Sequence, residues 1–463
     1  MLTYSLKKTA DKPLYIALYE KIKTDIAQGV LPSGTRLPSK RSLAKHLTLA
    51  IITVENAYAQ LLAEGYIFSK ERSGYFVSDI AFPKAAPVPA PAPMISEKTE
   101  KEQNAGTKML DLKSNAIPES RFPFSVWAKL TRGILSEGNG VLSRMPYNGT
   151  IALRKAIAEH LRTFRGLSVS PDQIVIGAGT ETLYQYLVQF LGRNLTYGVE
   201  NPGYHDIVHM YKNLGVRCAY ADIDKCGVTA AELEKKHISV IHISPSHHFP
   251  TGLVMPVSRR AELLAWAEQG KCYIIEDEFD SEFRFVGKPI PTLMSADRNE
   301  RVIYVNTFSK TISPAIRISY MVLPPKMAAR YKAEMGFYSC TVSALEQLTL
   351  AEFIGKGYFE KHINRMKTYY KSRRDELISA LQNSRFGAIA KIEEADSGLH
   401  FLIRLTTKKN DAELINMLKN AGISVAPLSD YTYPKQNTAT LVINYSGTDT
   451  SYLADYLNRI PIL

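Results

Sequence analysis

Cysteine, tryptophan and long apolar runs are all scarce in this chain, and each scarcity excludes something. Four cysteines (Cys218, Cys226, Cys272 and Cys340) are spread over 463 residues, with no CxxC spacing and no paired histidines beside them. Neither a zinc site nor a disulfide framework is suggested, and the four read as free buried thiols. No segment approaches the roughly 18 consecutive apolar residues that a membrane span requires. The opening MLTYSLKKTADK lacks the apolar centre of a secretory leader. A cytoplasmic protein with no membrane partner is expected. No internal repeat is visible. Acidic residues are outnumbered, 45 against 57 Lys and Arg, for a net charge of +12. That surplus favours polyanionic partners without identifying one. It is not concentrated at the N-terminus, where residues 1–80 hold eleven Lys or Arg against seven Asp or Glu.

What is present is the balance of a folded protein, 45% hydrophobic and 22% charged, in a chain long enough for two or three domains. The clearest boundary is a linker at 81–108. Pro83, Pro87, Pro89, Pro91 and Pro93 alternate with small residues and then give way to a polar, charged run. Proline favours extended polyproline II backbone, so the first part reads as a stiff spacer and the second as flexible. Before it, residues 1–80 are sharply punctuated. Leu14, Leu18, Ile22 and Ile26 recur at helical spacing and stop at Gly29; Ser39 can cap a helix through SKRSLAKHL; ITVENAYAQLLAEG follows as a third helix. Two short helices in succession suggest a helix-turn-helix, and YIFSKERSGYFVS alternates around a basic turn as a wing does.

Residues 109–463 read differently. QIVIGAG, LTYGVENPGY, SVIHISP, CYIIEDEFD and RVIYVNTFSK are short β-rich runs separated by helical stretches. This alternation predicts an α/β fold with a mainly parallel sheet, and ligands in such folds sit at the carboxyl ends of the strands. After a long helix from about residue 360, GLHFLIRL, GISVAPL and ATLVINYS suggest a small α+β subdomain. The whole is therefore multidomain, an α+β winged helix-turn-helix followed by an α/β domain.

In a helix-turn-helix the second helix enters the major groove with its first turn near base edges. Thr53 and Asn56 are the candidates there. Lys40 and Arg41 can reach backbone phosphates, and Lys70, Arg72, Ser73 and Gly74 form the wing turn. The pattern PLYxxLYEKIKxxIxxGxLPxGTRLPSKRSLAxxLxxxxxTVxxAYxxLxxEGYIxxxxRSGYFV resembles the winged helix-turn-helix of the GntR family over nearly all of residues 12–78. The resemblance implies that Arg41, Thr53 and the wing around Ser73 and Gly74 contact a double-stranded DNA operator. One departure stands out. The family usually has Ser-Arg ahead of the Thr-Val pair, where this chain has Ala50, Ile51 and Ile52.

The larger domain offers the parts of an aldehyde-cofactor site: a lysine for a Schiff base, an acid for a pyridine nitrogen and a phosphate cradle. Lys310 follows a strand in NTFSKTISPAIRISY, flanked by Thr307, Ser309 and Arg317, whose hydroxyls and guanidinium suit a phosphate. Asp277 ends another strand, where a carboxylate can hold a ring nitrogen protonated. Gly179, Thr180 and Glu181 open a helix whose N–H groups can face an anion. From about residue 110 to the end the chain resembles fold type I pyridoxal phosphate enzymes, with NPGY at 201–204 and PTG at 250–252 included in the match. That resemblance implies pyridoxal 5′-phosphate as cofactor, Lys310 as the Schiff-base lysine, Asp277 as the pyridine partner, Thr307, Ser309 and Arg317 as phosphate ligands, and Tyr204 near the ring. It also implies a homodimer.

A GntR-type reader joined to this fold resembles the MocR subfamily of transcription regulators over almost the whole chain. TFSKTISPAIRISYMVLPP is similar to GabR-type members, which respond to an amino compound. Two departures point elsewhere: Gly447 stands where a carboxylate-binding arginine is expected, and Phe279 where a tyrosine is expected. His247 or His248 could substitute for that tyrosine. The expectation is a regulator sensing pyridoxal phosphate itself, as PdxR-type members do in controlling vitamin B6 synthesis genes. The alternatives are a regulator that takes an amino compound as a further effector through Lys310, and a working aminotransferase carrying a DNA-binding module. The missing anchor argues against catalysis, which needs a substrate held in reacting geometry.

Overall fold

The computed structural model describes residues 2–4, 6, 13–80, 109–138, 141–287, 290–448 and 453–460. The linker expected at 81–108 lies outside them. The chain divides into two compact units, Met1–Glu100 and Lys101–Leu463. Among the described residues no helix is long and apolar enough to cross a membrane.

The first unit has helices α1 (Leu14–Ala27), α2 (Lys40–Leu47) and α3 (Ile51–Ala63), then strands β1 (Ile67–Lys70) and β2 (Gly74–Val77) paired antiparallel. Leu18, Ile22 and Ile26 of α1 close a core with Leu43, Val54, Tyr58 and Leu61, the result their helical spacing dictates. Ser39 caps α2 by accepting a hydrogen bond from the Ser42 amide. No side chain caps α3, whose N-cap residue Ala50 offers only its carbonyl, to the Thr53 amide. Tyr58 donates to the Pro38 carbonyl (3.0 Å), tying the third helix to the turn before the second.

In the second unit the strands are β3 (Leu110–Asp111), β4 (Ile174–Gly177), β5 (Thr196–Asn201), β6 (Arg217–Asp224), β7 (Gly227–Val228), β8 (Val240–Ile243), β9 (Tyr273–Glu278), β10 (Val302–Thr307) and β11 (Ser319–Val322). Eight of them form one sheet in the order β4-β11-β10-β9-β8-β5-β6-β7. The five central strands β10, β9, β8, β5 and β6 run parallel; β11 and β7 are antiparallel to their neighbours. Five of the eight strands were legible in the sequence. Every residue of β4, β8, β10 and β11 is buried, as expected of strands covered by helices on both faces. After the helix Tyr358–Asn383 come β12 (Ala390–Glu393), β13 (His400–Leu405), β14 (Ile423–Ser424), β15 (Ala426–Pro427) and β16 (Thr440–Asn444). Four of these make an antiparallel sheet in the order β12-β13-β16-β15. This is the expected small α+β subdomain. It takes in the start of the unit as well, since β3 pairs with β14.

The cysteine expectation needs one correction. All four thiols are free, but each is only partly buried: Cys218 and Cys272 sit at strand margins, Cys226 in a turn and Cys340 in the loop between the helices Pro325–Met335 and Ala344–Gly355.

Candidate functional site

In the second unit, β9 and β10 run side by side with Asp277 opposite Val305, so Asp277, Thr307 and the turn carrying Lys310 emerge together at the carboxyl ends of these central strands. There they line a cavity of about 520 Å3. Eight of the nine residues expected at the cofactor site line it: Thr180, Glu181, Tyr204, Asp277, Thr307, Ser309, Lys310 and Arg317. The ninth, Gly179, precedes the helix Thr180–Leu191 at φ 91°, and a Cβ on it would fall 2.1 Å from Arg317 Nη2. The positive φ is what favours glycine here.

Asp277 is buried, and the two oxygens of its carboxylate differ. Oδ2 accepts from the Tyr184 hydroxyl (2.7 Å) and lies 3.2 Å from His242 Nε2, while Oδ1 has no hydrogen-bond partner. Burial, then the charge of Asp277, holds the Tyr184 phenol far above the ordinary tyrosine range, so it stays a donor. His242 Nδ1 meets the Tyr211 hydroxyl at 3.0 Å. Tyr211 is likewise kept protonated by burial; because the Asp277 oxygen is an acceptor, the neutral ring places its proton on Nε2, and Nδ1 is then left to accept from the Tyr211 hydroxyl. Two donors thus orient one oxygen and leave the other for an incoming N–H. Tyr184 and His242 were not foreseen in the sequence. The signal available for His242 was a lone polar residue inside the apolar strand SVIHISP.

Burial, opposed in part by the charge of Asp280, pushes the Lys310 amine below the ordinary lysine range, which favours the neutral, nucleophilic form. Thr307 Oγ1 accepts from both the Ser309 amide (3.1 Å) and the Ser319 hydroxyl (2.8 Å). With both lone pairs engaged, its own hydroxyl hydrogen is left to donate outward, as an anion site needs. Arg317 adopts a left-handed backbone (φ 52°), and its Nη2 meets Glu181 Oε2 at 2.7 Å. Both side chains are about half exposed. So exposed a pair is worth at most about 1 kcal/mol, so a phosphate dianion can draw the guanidinium away from it.

Around this set, Phe279 lines the cavity where a phenol was expected and offers no hydroxyl. Of the two histidines suggested as substitutes, His248 lines the cavity and His247 does not. His248 is bound to Thr251 Oγ1 (2.7 Å) and approaches Glu200 (3.4 Å). Burial and then the neighbouring His247 hold His248 down at about 3, and burial lifts Glu200 to about 8 against the Ser244 amide bond. His247 instead faces Asp280 at 3.0 Å. Gly447 packs on the chain at Ala116, whose Cβ a side chain there would meet at 2.8 Å. The residues present fit pyridoxal 5′-phosphate: Asp277 Oδ1 for the pyridinium, Lys310 for the aldehyde, and Thr307, Ser309, Arg317 and the helix start for the phosphate. When bound, that group supplies an aldehyde carbon for the lysine and a ring that withdraws electrons.

In the first unit Arg41, Asn56, Lys70 and Arg72 are exposed, and Lys40, Thr53, Ser73 and Gly74 are partly so. Lys40 and Arg41 share an open concavity with Arg36, Ile51, Glu55, Gly74 and Tyr75. Lys40 is already paired with Glu55, which holds its amine above the usual range. Arg36 was missed by the sequence reading; it bridges to Phe76 of the wing, and its guanidinium lies beside Gly74.

These two sites define a class: a winged helix-turn-helix reader carried on the same chain as an aminotransferase-type cofactor fold. Residues 14–77 match the model of bacterial regulatory proteins of the gntR family, and residues 107–460 that of aminotransferase class I and II. The helix-turn-helix transcriptional regulator YdeL of Bacillus subtilis is 36% identical over 99% of this chain and 98% of its own length. The pyridoxine biosynthesis transcriptional regulator PdxR of Corynebacterium glutamicum is 30% identical over 89% of this chain and 88% of its own. Among solved structures, Pyrococcus horikoshii kynurenine aminotransferase, in complex with PMP, superposes at a TM-score of 0.67 with 22% identity, covering 78% of this chain and 91% of the enzyme. The chain belongs to the MocR subfamily of GntR-type transcription regulators.

Proposed function

We propose that this regulator binds pyridoxal 5′-phosphate on Lys310, senses it, and controls vitamin B6 synthesis genes as a homodimer on a double-stranded operator. The observation that carries the reading is the unpartnered, buried Asp277 Oδ1 in the same cavity as the desolvated Lys310 amine. An unsatisfied buried acceptor costs on the order of 1–3 kcal/mol, a cost that a pyridinium N–H removes. Support for the cofactor itself as signal comes from Gly447. An arginine there has no room beside Ala116, so an amino acid lacks the guanidinium anchor expected at that place. The likeness to PdxR points the same way. Phe124 and Phe337, both exposed, supply apolar surface for a second copy. For cofactor occupancy to change DNA binding, the two arrangements of the protein must differ in affinity for it.

A second reading, an added amino-compound effector, draws on the rest of the cavity. It extends to Lys113, Asn115 and Asn444, and Asn444 Oδ1 is buried without a partner. Polar groups are therefore left over for a second molecule.

The test is the affinity of the full-length protein for the DNA upstream of its own and neighbouring genes, with and without pyridoxal 5′-phosphate. The cofactor is expected to shift wild-type affinity roughly 5-fold or more and to leave Lys310→Ala unmoved. A shift that appears only when γ-aminobutyrate is added favours the second reading. Unchanged affinity throughout, with multiple turnovers of an amino donor, overturns both in favour of an enzyme.

A further inference from the structure

The departure at the start of α3 leaves two large apolar side chains in solvent. Ile51 is 50% and Ile52 59% exposed, while Val54, Ala57, Tyr58 and Leu61 of the same helix are fully buried. The core does not need these isoleucines. They sit in the first turn of the helix that a helix-turn-helix presents to the major groove, and Ile51 lines the concavity that also holds Arg36, Lys40 and Arg41. An apolar pair framed by cations meets a surface that is anionic at its edges and carries a methyl group within. The thymine 5-methyl is the apolar group of the major groove. The gntR-family match over residues 14–77 independently makes DNA the ligand of this face.

We infer that Ile51 and Ile52 read thymine methyl groups, so that the operator half-site carries A·T pairs under the first turn of α3. This rests on the DNA-binding reading above and deepens it. Asn56, exposed one turn after Ile52, extends the same face, four residues or about 6 Å along the axis, close to two base steps. An asparagine there suits adenine N6 and N7. The two residue types select the same kind of pair. Apolar recognition of a methyl gives sequence preference without adding to the salt dependence of binding.

The experiment begins with duplexes selected by the full-length protein from a randomised library. Each thymine of the selected consensus is then replaced by deoxyuridine, which removes only the methyl. One or two thymines per half-site are expected where the loss of that methyl weakens wild-type binding about 3- to 10-fold. Ile51→Ser with Ile52→Ser should bind thymine and deoxyuridine duplexes equally and keep the wild-type thermal midpoint, since both positions are exposed. Sequence-specific binding that is indifferent to every deoxyuridine, or a consensus of G·C pairs under α3, overturns the inference and leaves the regulator reading standing. Failure to select any duplex over scrambled DNA, with and without pyridoxal 5′-phosphate, removes the DNA-binding reading and this inference with it.

Discussion

In the N-terminal unit the side chains proposed to meet DNA, Ile51, Ile52, Arg41, Asn56 and Arg72, are exposed and contribute nothing to the core, whereas in the second unit Tyr184 and His242 are buried and bonded to Asp277, and Thr307 is buried and bonded to Ser319. A surface reader and a buried ligand site therefore answer to substitution differently. In the first, recognition and folding are separable, because the core of Leu18, Ile22, Val54 and Tyr58 is built from other residues. In the second they are entangled, because Asp277 and Thr307 are themselves hydrogen-bonded to buried neighbours of the fold. The exception within the first unit is Lys40, whose pairing with Glu55 draws it partly into the fold.

The sharpest way to break this contrast is Asp277→Ala. It leaves the Tyr184 hydroxyl and the His242 N–H without an acceptor inside the protein, and each orphaned buried donor costs about 1–3 kcal/mol. A loss of about 2–5 kcal/mol in the stability of the second unit is expected, read by denaturant unfolding, together with loss of the visible absorbance that pyridoxal 5′-phosphate gives when it loads. Full stability with absent loading would show that the carboxylate serves the ligand alone and that the two roles are separable here as well.

The counterpart in the first unit is Arg41→Ala. Arg41 is exposed at the start of α2, so stability should move by no more than about 0.5 kcal/mol. DNA affinity should fall by about 1–2 kcal/mol for every sequence alike, and the slope of log affinity against log salt should shrink by about 1, the signature of a lost phosphate contact. A sequence-dependent loss would instead place the guanidinium on a base edge. Stability and binding lost together would bring this unit into line with the other.

The same contrast explains what could be read from the sequence alone. The winged helix-turn-helix was legible almost to the residue, since caps, glycine stops and helical spacing act locally: Ser39 caps α2, and the wing strands, closed by the Lys70–Gly74 pair, flank a turn at residues 71–73. Strands β9 and β10 were legible because each opens on β-branched and aromatic residues, Tyr273, Ile274 and Ile275 in one and Val302, Ile303, Tyr304 and Val305 in the other. The antiparallel β11 escaped, for its position between β4 and β10 is set by pairing with distant residues. Tyr184 and His242 escaped for the same reason: they lie 93 and 35 residues from Asp277, and no local pattern encodes a contact closed by tertiary packing. Arg36 escaped because its meeting with the wing depends on the bridge to Phe76.

The smallest expected effect tests whether the first unit gave up stability at its reading edge. Ala50 occupies the N-cap of α3 with extended backbone (φ −66°, ψ 142°) and provides no side-chain acceptor, its carbonyl alone taking the Thr53 amide (3.0 Å), whereas the Ser39 hydroxyl accepts from a first-turn amide of α2. Ala50→Ser needs no change of backbone, since Ser39 caps from nearly the same angles. A gain of about 0.5–1 kcal/mol in the stability of this unit is expected, measured by thermal unfolding, with the deoxyuridine sensitivity of binding unaltered because Ile51 and Ile52 stay where they are. If the serine instead reshapes sequence preference, the first turn of α3 is held by DNA contacts more than by its own cap, and the separation of folding from recognition in this unit fails at that position.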